Sequence, residues 1–236
     1  MSGKTHSGPV GETPGALPPL SPKTELEDPL AYLPCSHIVA HKKGQTIYTR
    51  DAPSTNIYLV IDGKVKICRL AEDGQRVVID IRRQDEFFGE SALVNERQRV
   101  EEATALEDTK LMTWTTAEIE QIIDRRPRLG IALVQLLAQR TVDLGDRIQS
   151  FSADHIAQRL MRSLVRLSER LGTPEDDGCV RIMPLTHELL SQWVGTSREI
   201  VTHYMNQFRR QGCLWYSRQG IVLRMDAVQE MLKQKR

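Results

Sequence analysis

Hydrophobic and polar positions change period along this chain of 236 residues, and the changes predict its elements. From about Leu30 to Thr115 apolar residues come in short β-type runs cut by turn dipeptides. "NIYLVIDGKVKICRL" reads as strand, Asp62-Gly63 turn, strand, and "RLAEDGQRVVIDI" repeats the device at Asp73-Gly74. Glycine takes positive φ readily there, which suits a tight hairpin. Strands at this spacing predict a sandwich or barrel, not alternating strand–helix units. After Pro127 the period becomes helical: Leu129, Leu133, Leu136, Leu137, Leu144, Ile148 and Phe151 share one face of a long amphipathic helix. Arg140 and Arg147 fall on that face too. A seam paired with a second copy of the chain leaves room for them; the competing arrangement lays the helix on its own barrel with both arginines reaching to water.

The last third reads differently again. A helix over about 154–171 ends at Gly172, and the loop "GTPEDDG" and the run "VRIMPL" follow. Two helices separated at Gly195 come next, then a hairpin "CLWYSRQGIVLRM" turning at Gln219-Gly220. Helices followed by such a hairpin make a winged helix, and the Gly195 turn has helix-turn-helix spacing. On a wheel, Ile200, Val201, Tyr204, Met205 and Phe208 occupy one arc of the second helix. Arg198, Glu199, Thr202, His203, Asn206, Gln207, Arg209 and Arg210 occupy the other. Ser197, or Thr196 beside it, is the expected N-cap.

Composition excludes more than it selects. With 40% hydrophobic and 27% charged residues, the bulk of the chain is that of a globular protein. No apolar run approaches the roughly 18 residues that span a bilayer, and Pro and Gly stand where a signal peptide has its apolar core, so a cytoplasmic protein without a membrane partner is expected. Residues 1–28, rich in Pro, Gly, Ser and Thr, read as a disordered tail. Cys35, Cys68, Cys179 and Cys213 are far apart and read as reduced thiols. Net charge is +1, but residues 155–236 hold 13 Lys and Arg against 8 Asp and Glu, while residues 1–154 hold 19 against 23. A basic final third suits a polyanion.

That polyanion is expected to be double-stranded DNA. The first turns of the second helix of such a unit enter the major groove. Arg198 can donate in pairs to guanine, Glu199 can accept from cytosine, and Thr202 and His203 can reach a neighbouring base. Ser197, Arg209, Arg210 and wing Arg218 are the expected backbone contacts, giving affinity without sequence.

The segment "LTHELLSQWVGTSREIVTHYMNQFRRQGCL" and the anchors "GTSRE" and "FFGESAL" carry a resemblance. Over about residues 30–232 the chain resembles the cyclic-AMP receptor protein/fumarate-nitrate reductase regulator (CRP/FNR) superfamily, homodimeric bacterial transcription factors. The resemblance implies an α+β protein. Its parts are a β jelly-roll sensor domain of cyclic-nucleotide-binding type (29–116), a helical region with a long dimerisation helix (117–153) and a winged helix-turn-helix domain (154–236). The helix would pair two copies through Leu133, Leu137, Leu144 and Ile148, on DNA sites of two-fold symmetry. Arg198 and Glu199 match the family's base-reading pair. His203 stands where the cyclic-AMP receptor has a second base-reading arginine, so the half-site is expected to be a relative of TGTGA. The loop Gly172–Gly178 matches the one that meets RNA polymerase in activators.

The resemblance also supplies an effector pocket to test: Gly89, Glu90, Ser91, Arg99, Arg140 and Thr141. In cyclic-nucleotide-binding members an "FGE" segment meets the ribose, and an Arg-Ser/Thr-Ala clamp about ten residues later meets the phosphate. Phe88-Gly89-Glu90 fit, and Arg99 fits with one residue deleted. Val100 replaces the hydroxyl, and Glu101 and Glu102 would repel a phosphate. The expectation is therefore a sensor without clamp-type cyclic-AMP binding, Glu90 and Arg99 forming an internal ion pair; a cyclic-nucleotide-activated regulator is the alternative. One cysteine near the N-terminus excludes an iron–sulfur cluster, and His37 and His41, about 13 Å apart if extended, hold no joint metal. Haem, another metabolite or no effector stay open.

Rival classes lack their residues. An enzyme in the barrel needs converging histidines, and "GESAL" has Leu93 where a nucleophile elbow has its second glycine; no catalytic residue is assigned. A protein-binding adaptor remains the more distant alternative, distinguished by DNA binding without a sequence preference.

Overall fold

The computed structural model describes residues 26–72, 74–94 and 97–233. Most of the tail expected over 1–28 lies outside these residues. The N-terminal half contains strands β1 (His37–His41), β2 (Thr46–Tyr48), β3 (Asn56–Asp62), β4 (Val65–Leu70), β5 (Arg76–Arg82), β6 (Phe87–Phe88), β7 (Glu102–Ala105) and β8 (Thr109–Thr115). They form two four-stranded sheets, ordered β1-β8-β3-β6 and β2-β7-β4-β5, with every pairing antiparallel. The two-residue period of β3 explains the layering. Val60, with Phe88 and Leu111 of its own sheet, meets Val65, Ile67 and Ala103 of the other. Ile57 and Leu59 turn outward, onto the helices that follow.

One expected hairpin is corrected. Asp62-Gly63 does not join paired neighbours, because β3 and β4 belong to different sheets. The glycine is needed for another reason: φ is +92° and a Cβ would stand 2.5 Å from Thr109 Oγ1. The following β4–β5 connection is a hairpin, with Leu70 opposite Arg76.

Helix α1 (Thr116–Arg125) starts in a reciprocal capping box, Thr115 with Glu118. Pro127 then precedes α2 (Arg128–Ala153), whose 26 residues span about 39 Å. Its first turns bury Leu129, Ala132 and Leu133 against Ile57, Leu59, Phe87 and Trp114.

The last third holds α3 (Ile156–Leu171), β9 (Thr173–Pro174), β10 (Cys179–Ile182), α4 (His187–Val194), α5 (Arg198–Arg210), β11 (Leu214–Ser217), β12 (Gly220–Arg224) and α6 (Met225–Lys233). The sheet order is β11-β12-β10-β9, which completes a winged helix. Helix α6 was not anticipated, although Met225, Val228 and Leu232 recur at helical spacing. The wing turn also shifts by one residue. Ser217 pairs with Gly220, so Arg218-Gln219 is the turn and Gly220 opens β12. The two ends of the molecule share a core: Cys68, Val78 and Ile81 of the barrel's second sheet join Leu160, Leu164, Leu190, Val201 and Phe208.

Gly220 has φ +144°, and a Cβ there would lie 2.2 Å from the Ile182 carbonyl oxygen. Gly220→Ala is expected to cost about 2–4 kcal/mol of stability by forcing the wing off β10, read as a lower urea midpoint.

Candidate nucleic-acid interface and sensor groove

Helix α4 begins at Thr186, whose side chain accepts from the Leu189 amide at 3.0 Å. It ends at Gly195 in the left-handed conformation (φ 69°, ψ 56°), the usual helix C-cap geometry. Ser197 then caps α5, its hydroxyl accepting from the Ile200 amide at 3.3 Å. Val201, Met205 and Phe208 bury one stripe of α5. Arg198, Glu199, His203, Arg209 and Arg210 stand exposed on the other, as does Arg218 at the tip of the wing. Ile200 departs from the wheel: it is 38% exposed and joins the outward side. Glu199's own amide and the Ser197 hydroxyl hold its carboxyl below the usual glutamate value, so at neutral pH it presents only acceptors.

Thr202 is less free than expected. Its hydroxyl donates to the Arg198 carbonyl at 2.8 Å and lies 2.8 Å from His187 Nδ1, tying α5 to α4. His187 stands edge-on to Tyr216 of β11, whose hydroxyl donates to Asn206 Oδ1 at 2.9 Å. Arg209 stacks over the same tyrosine, 5.3 Å from the ring centroid. Helix, preceding helix and wing are thus bound through one polar network. Burial pulls the His187 pKa below the ordinary imidazole value, and the Arg198 charge adds to this.

A groove of about 870 Å³ lies between the barrel, α2 and the winged helix, lined among others by Glu90, Ser91, Val100, Glu101, Arg140 and Trp193. Arg99 is not among its lining residues. That side chain is 2% exposed and is spent inside the barrel. It donates to the carbonyls of Gly89 (2.8 Å) and Asn56 and to Ser91 Oγ (3.2 Å), and stacks 4.5 Å from the Tyr48 ring centroid. Gly89 permits this at φ +82°, since a Cβ would lie 3.2 Å from the guanidinium. The expected Glu90–Arg99 ion pair is absent. Glu90 pairs instead with Arg140 and, at 3.5 Å, with Arg82. Glu101 lines the groove, accepts from the Tyr48 hydroxyl at 3.0 Å, and has its pKa raised by burial and by the Glu90 charge.

Arg140 and Arg147 of α2 do not reach to water. Arg140 holds Glu90 and the Phe87 carbonyl, and Arg147 holds the carbonyls of Val78, Ile79 and Trp193. The expected dimer residues separate as well. Leu133 is buried on the barrel and Leu137 lines the groove, while Leu144, at the groove's border, is 47% exposed and Ile148 is 65% exposed. A bare apolar stripe passes through Ile131, Val134, Val142 and Ile148, of which only Ile148 is among the residues the periodicity predicts for the seam. Thr141 lies exposed, its hydroxyl donating to the Leu137 carbonyl and not into the groove. His37 and His41 lie at the two ends of β1, and no group of three metal-ligating side chains occurs among the described residues.

Fold and surface together define a class: a barrel of sensor type joined through a long helix to a winged helix-turn-helix. Residues 38–126 match the model of the cyclic nucleotide-binding domain, and residues 158–231 match that of the Crp-like helix-turn-helix domain, together more than half of the chain. The chain is 28% identical over 179 residues to a CRP-like cAMP-activated global transcriptional regulator of Mycobacterium tuberculosis, spanning 75% of this chain and 79% of that protein. It is 29% identical over 184 residues to the transcriptional regulator SdrP of Thermus thermophilus, spanning 77% and 85%. A solved CRP/FNR-family regulator of Thermus thermophilus superposes with a TM-score of 0.66 at 26% identity, over 84% of this chain and 98% of that one. This chain belongs to the CRP/FNR family of transcription regulators, with a DNA-binding helix-turn-helix domain and relatives that are regulators, not enzymes. Among the described residues no helix is long and apolar enough to cross a membrane.

The folded state resists His187 protonation more than the unfolded chain does. Stability is therefore expected to fall as pH drops below the ordinary imidazole value, until the lower folded value is passed. His187→Asn should lose less of its urea midpoint than the wild type between about pH 7.5 and 5.

Proposed function

We propose that this regulator acts as a homodimer on DNA sites of two-fold symmetry, and that its barrel does not take cyclic AMP through an arginine clamp. The observation that carries the reading is the bare N-terminal half of α5, where Arg198, Glu199 and His203 project beside a capped helix end. Arg198, Glu199 and His203 read bases, and Thr202 offers its methyl group, since its hydroxyl is engaged. Ser197, Arg209, Arg210 and Arg218 contact the backbone. The division into sensor (29–116), dimerising helical region (117–153) and DNA-binding part (154–236) follows the same lines.

Pairing is supported by the stripe through Ile131, Val134, Val142 and Ile148, each more than half exposed. Bare apolar residues at this spacing on a helix of 26 residues favour a parallel seam with a second copy. A two-fold dimer would present its two recognition helices to successive major-groove turns about 34 Å apart. In an activator, the loop over Gly172–Gly178, steadied by the Arg181–Glu175 pair, would face RNA polymerase.

For the effector, Arg99 is buried away from the groove with both terminal nitrogens engaged by two carbonyls and a hydroxyl, and Glu101 faces the groove where a phosphate would need a donor. The second reading, activation by a cyclic nucleotide, draws on the likeness to the mycobacterial cAMP-activated regulator. The two separate cleanly. Calorimetric titration of cyclic AMP into the purified protein is expected to give no binding heat, and no shift in melting temperature at millimolar nucleotide. Micromolar binding would favour the second reading.

Arg198→Ala is expected to cost about 1–3 kcal/mol of DNA affinity and to relax preference at one base pair per half-site. Competition binding on single-base variants checks it; equal loss on every sequence would reassign Arg198 to the phosphates.

A further inference from the structure

A dimer reads two half-sites together only if each recognition helix keeps a fixed angle to the dimer helix. The link between them is short: α2 ends at Ala153 and α3 begins at Ile156. Near the end of α2, Arg147 spans the parts that this elbow could let move. Its Nη1 donates to the Ile79 carbonyl, and its Nη2 donates to the carbonyls of Val78 at 2.8 Å and Trp193 at 3.1 Å. Its guanidinium also stacks over the Trp193 ring, 4.6 Å from the centroid.

Two of the acceptors, Ile79 and Trp193, lie where their own elements run out of partners. β5 is the edge strand of its sheet. Its register passes from Asp80 opposite Ile67 to Val78 opposite Cys68, which leaves Ile79 as an extra, unpaired residue. Trp193 lies in the last turn of α4, where carbonyls lack helical partners and a cation is favourable. Two residues further on stands Gly195, the turn into α5, and Phe151 of α2 packs on it: a Cβ at Gly195 would meet the Phe151 ring at 3.0 Å. Beside them Arg170 of α3 fastens the same strand, to Asp80 at 2.6 Å and the Ile81 carbonyl at 3.1 Å, and the turn after it, to Glu86 at 3.0 Å.

We infer that Arg147 is a positioning residue for DNA recognition: by joining β5, α2 and α4 it fixes the angle of the recognition helix to the dimer helix, and so sets the half-site spacing the protein accepts. The inference rests on the two-fold reading above. Arg147 itself reads no base, so its loss alters which spacer is tolerated and leaves the half-site preference alone.

The test uses the full-length protein, the variants Arg147→Met and Arg147→Lys, and duplexes that differ only in spacer. These are the wild type's best spacer, one base pair shorter, one longer, and a single half-site. Anisotropy titrations should show the wild type discriminating among spacers. In Arg147→Met that ratio is expected to fall about tenfold, and in Arg147→Lys by less, because an ammonium keeps the charge but loses the fork. Affinity for the single half-site should stay as in the wild type. An undiminished ratio in both variants overturns the inference. Equal loss on all four duplexes also overturns it, since that marks a merely structural role. A wild type indifferent to spacer would overturn the two-fold reading itself, and the inference with it.

Discussion

Strand β5 has a neighbour on one side only, so carbonyls on its outer edge need donors from elsewhere in the chain. Arg147 and Arg170 supply them, from the long helix and from the first helix of the DNA-binding part. The same strand turns Val78 and Ile81 outward into a core shared with α3, α4 and α5. Polar and apolar requirements of one sheet edge therefore put the winged helix where it is. An unfilled edge would leave buried acceptors without partners and invite pairing with another chain. With the edge covered, α5 buries Val201, Met205 and Phe208 and has only its other side left to face solvent. That side carries the arginines, Glu199 and His203.

Arg99 has a structural use inside the barrel. A guanidinium that grips an external phosphate must keep its terminal nitrogens free, and this one turns both inward, to Gly89 and Ser91 and to Asn56, while stacking on Tyr48. It holds the "FFGES" turn to β3 from within. The groove it leaves is bordered by acid–base pairs from three elements: Arg82 with Asp80, Arg140 with Glu90, and Arg170 with Asp80. The whole lining holds six arginines against six carboxylates, so the groove offers an incoming anion no formal excess of positive charge.

Much of the fold and of the DNA-facing helix was legible in the sequence, because both are local matters of period and capping. The alternation in β3, the capped start of α5 and the Gly195 turn follow from neighbouring residues alone. What was not legible depended on partners distant in the chain. Periodicity put Arg140 and Arg147 in a helix seam, but could not show that barrel carbonyls 53 to 69 residues away would claim them. It grouped Leu133 with Ile148, although a long helix changes its neighbour along its length, from barrel to open surface. Asp62-Gly63 resembled a hairpin because a sheet crossover uses the same turn chemistry. Glu90 found Arg140 in place of Arg99 through folding that no local spacing reveals. Helix α6 was short enough for its three apolar positions to pass as the end of the wing.

The most direct measurement is selection of bound duplexes from a random DNA library by the full-length protein, without added nucleotide, followed by sequencing. The account predicts two inverted copies of one half-site, at a fixed separation of about one helical turn between centres. Enrichment of no sequence, or of a single unrepeated half-site, would contradict it.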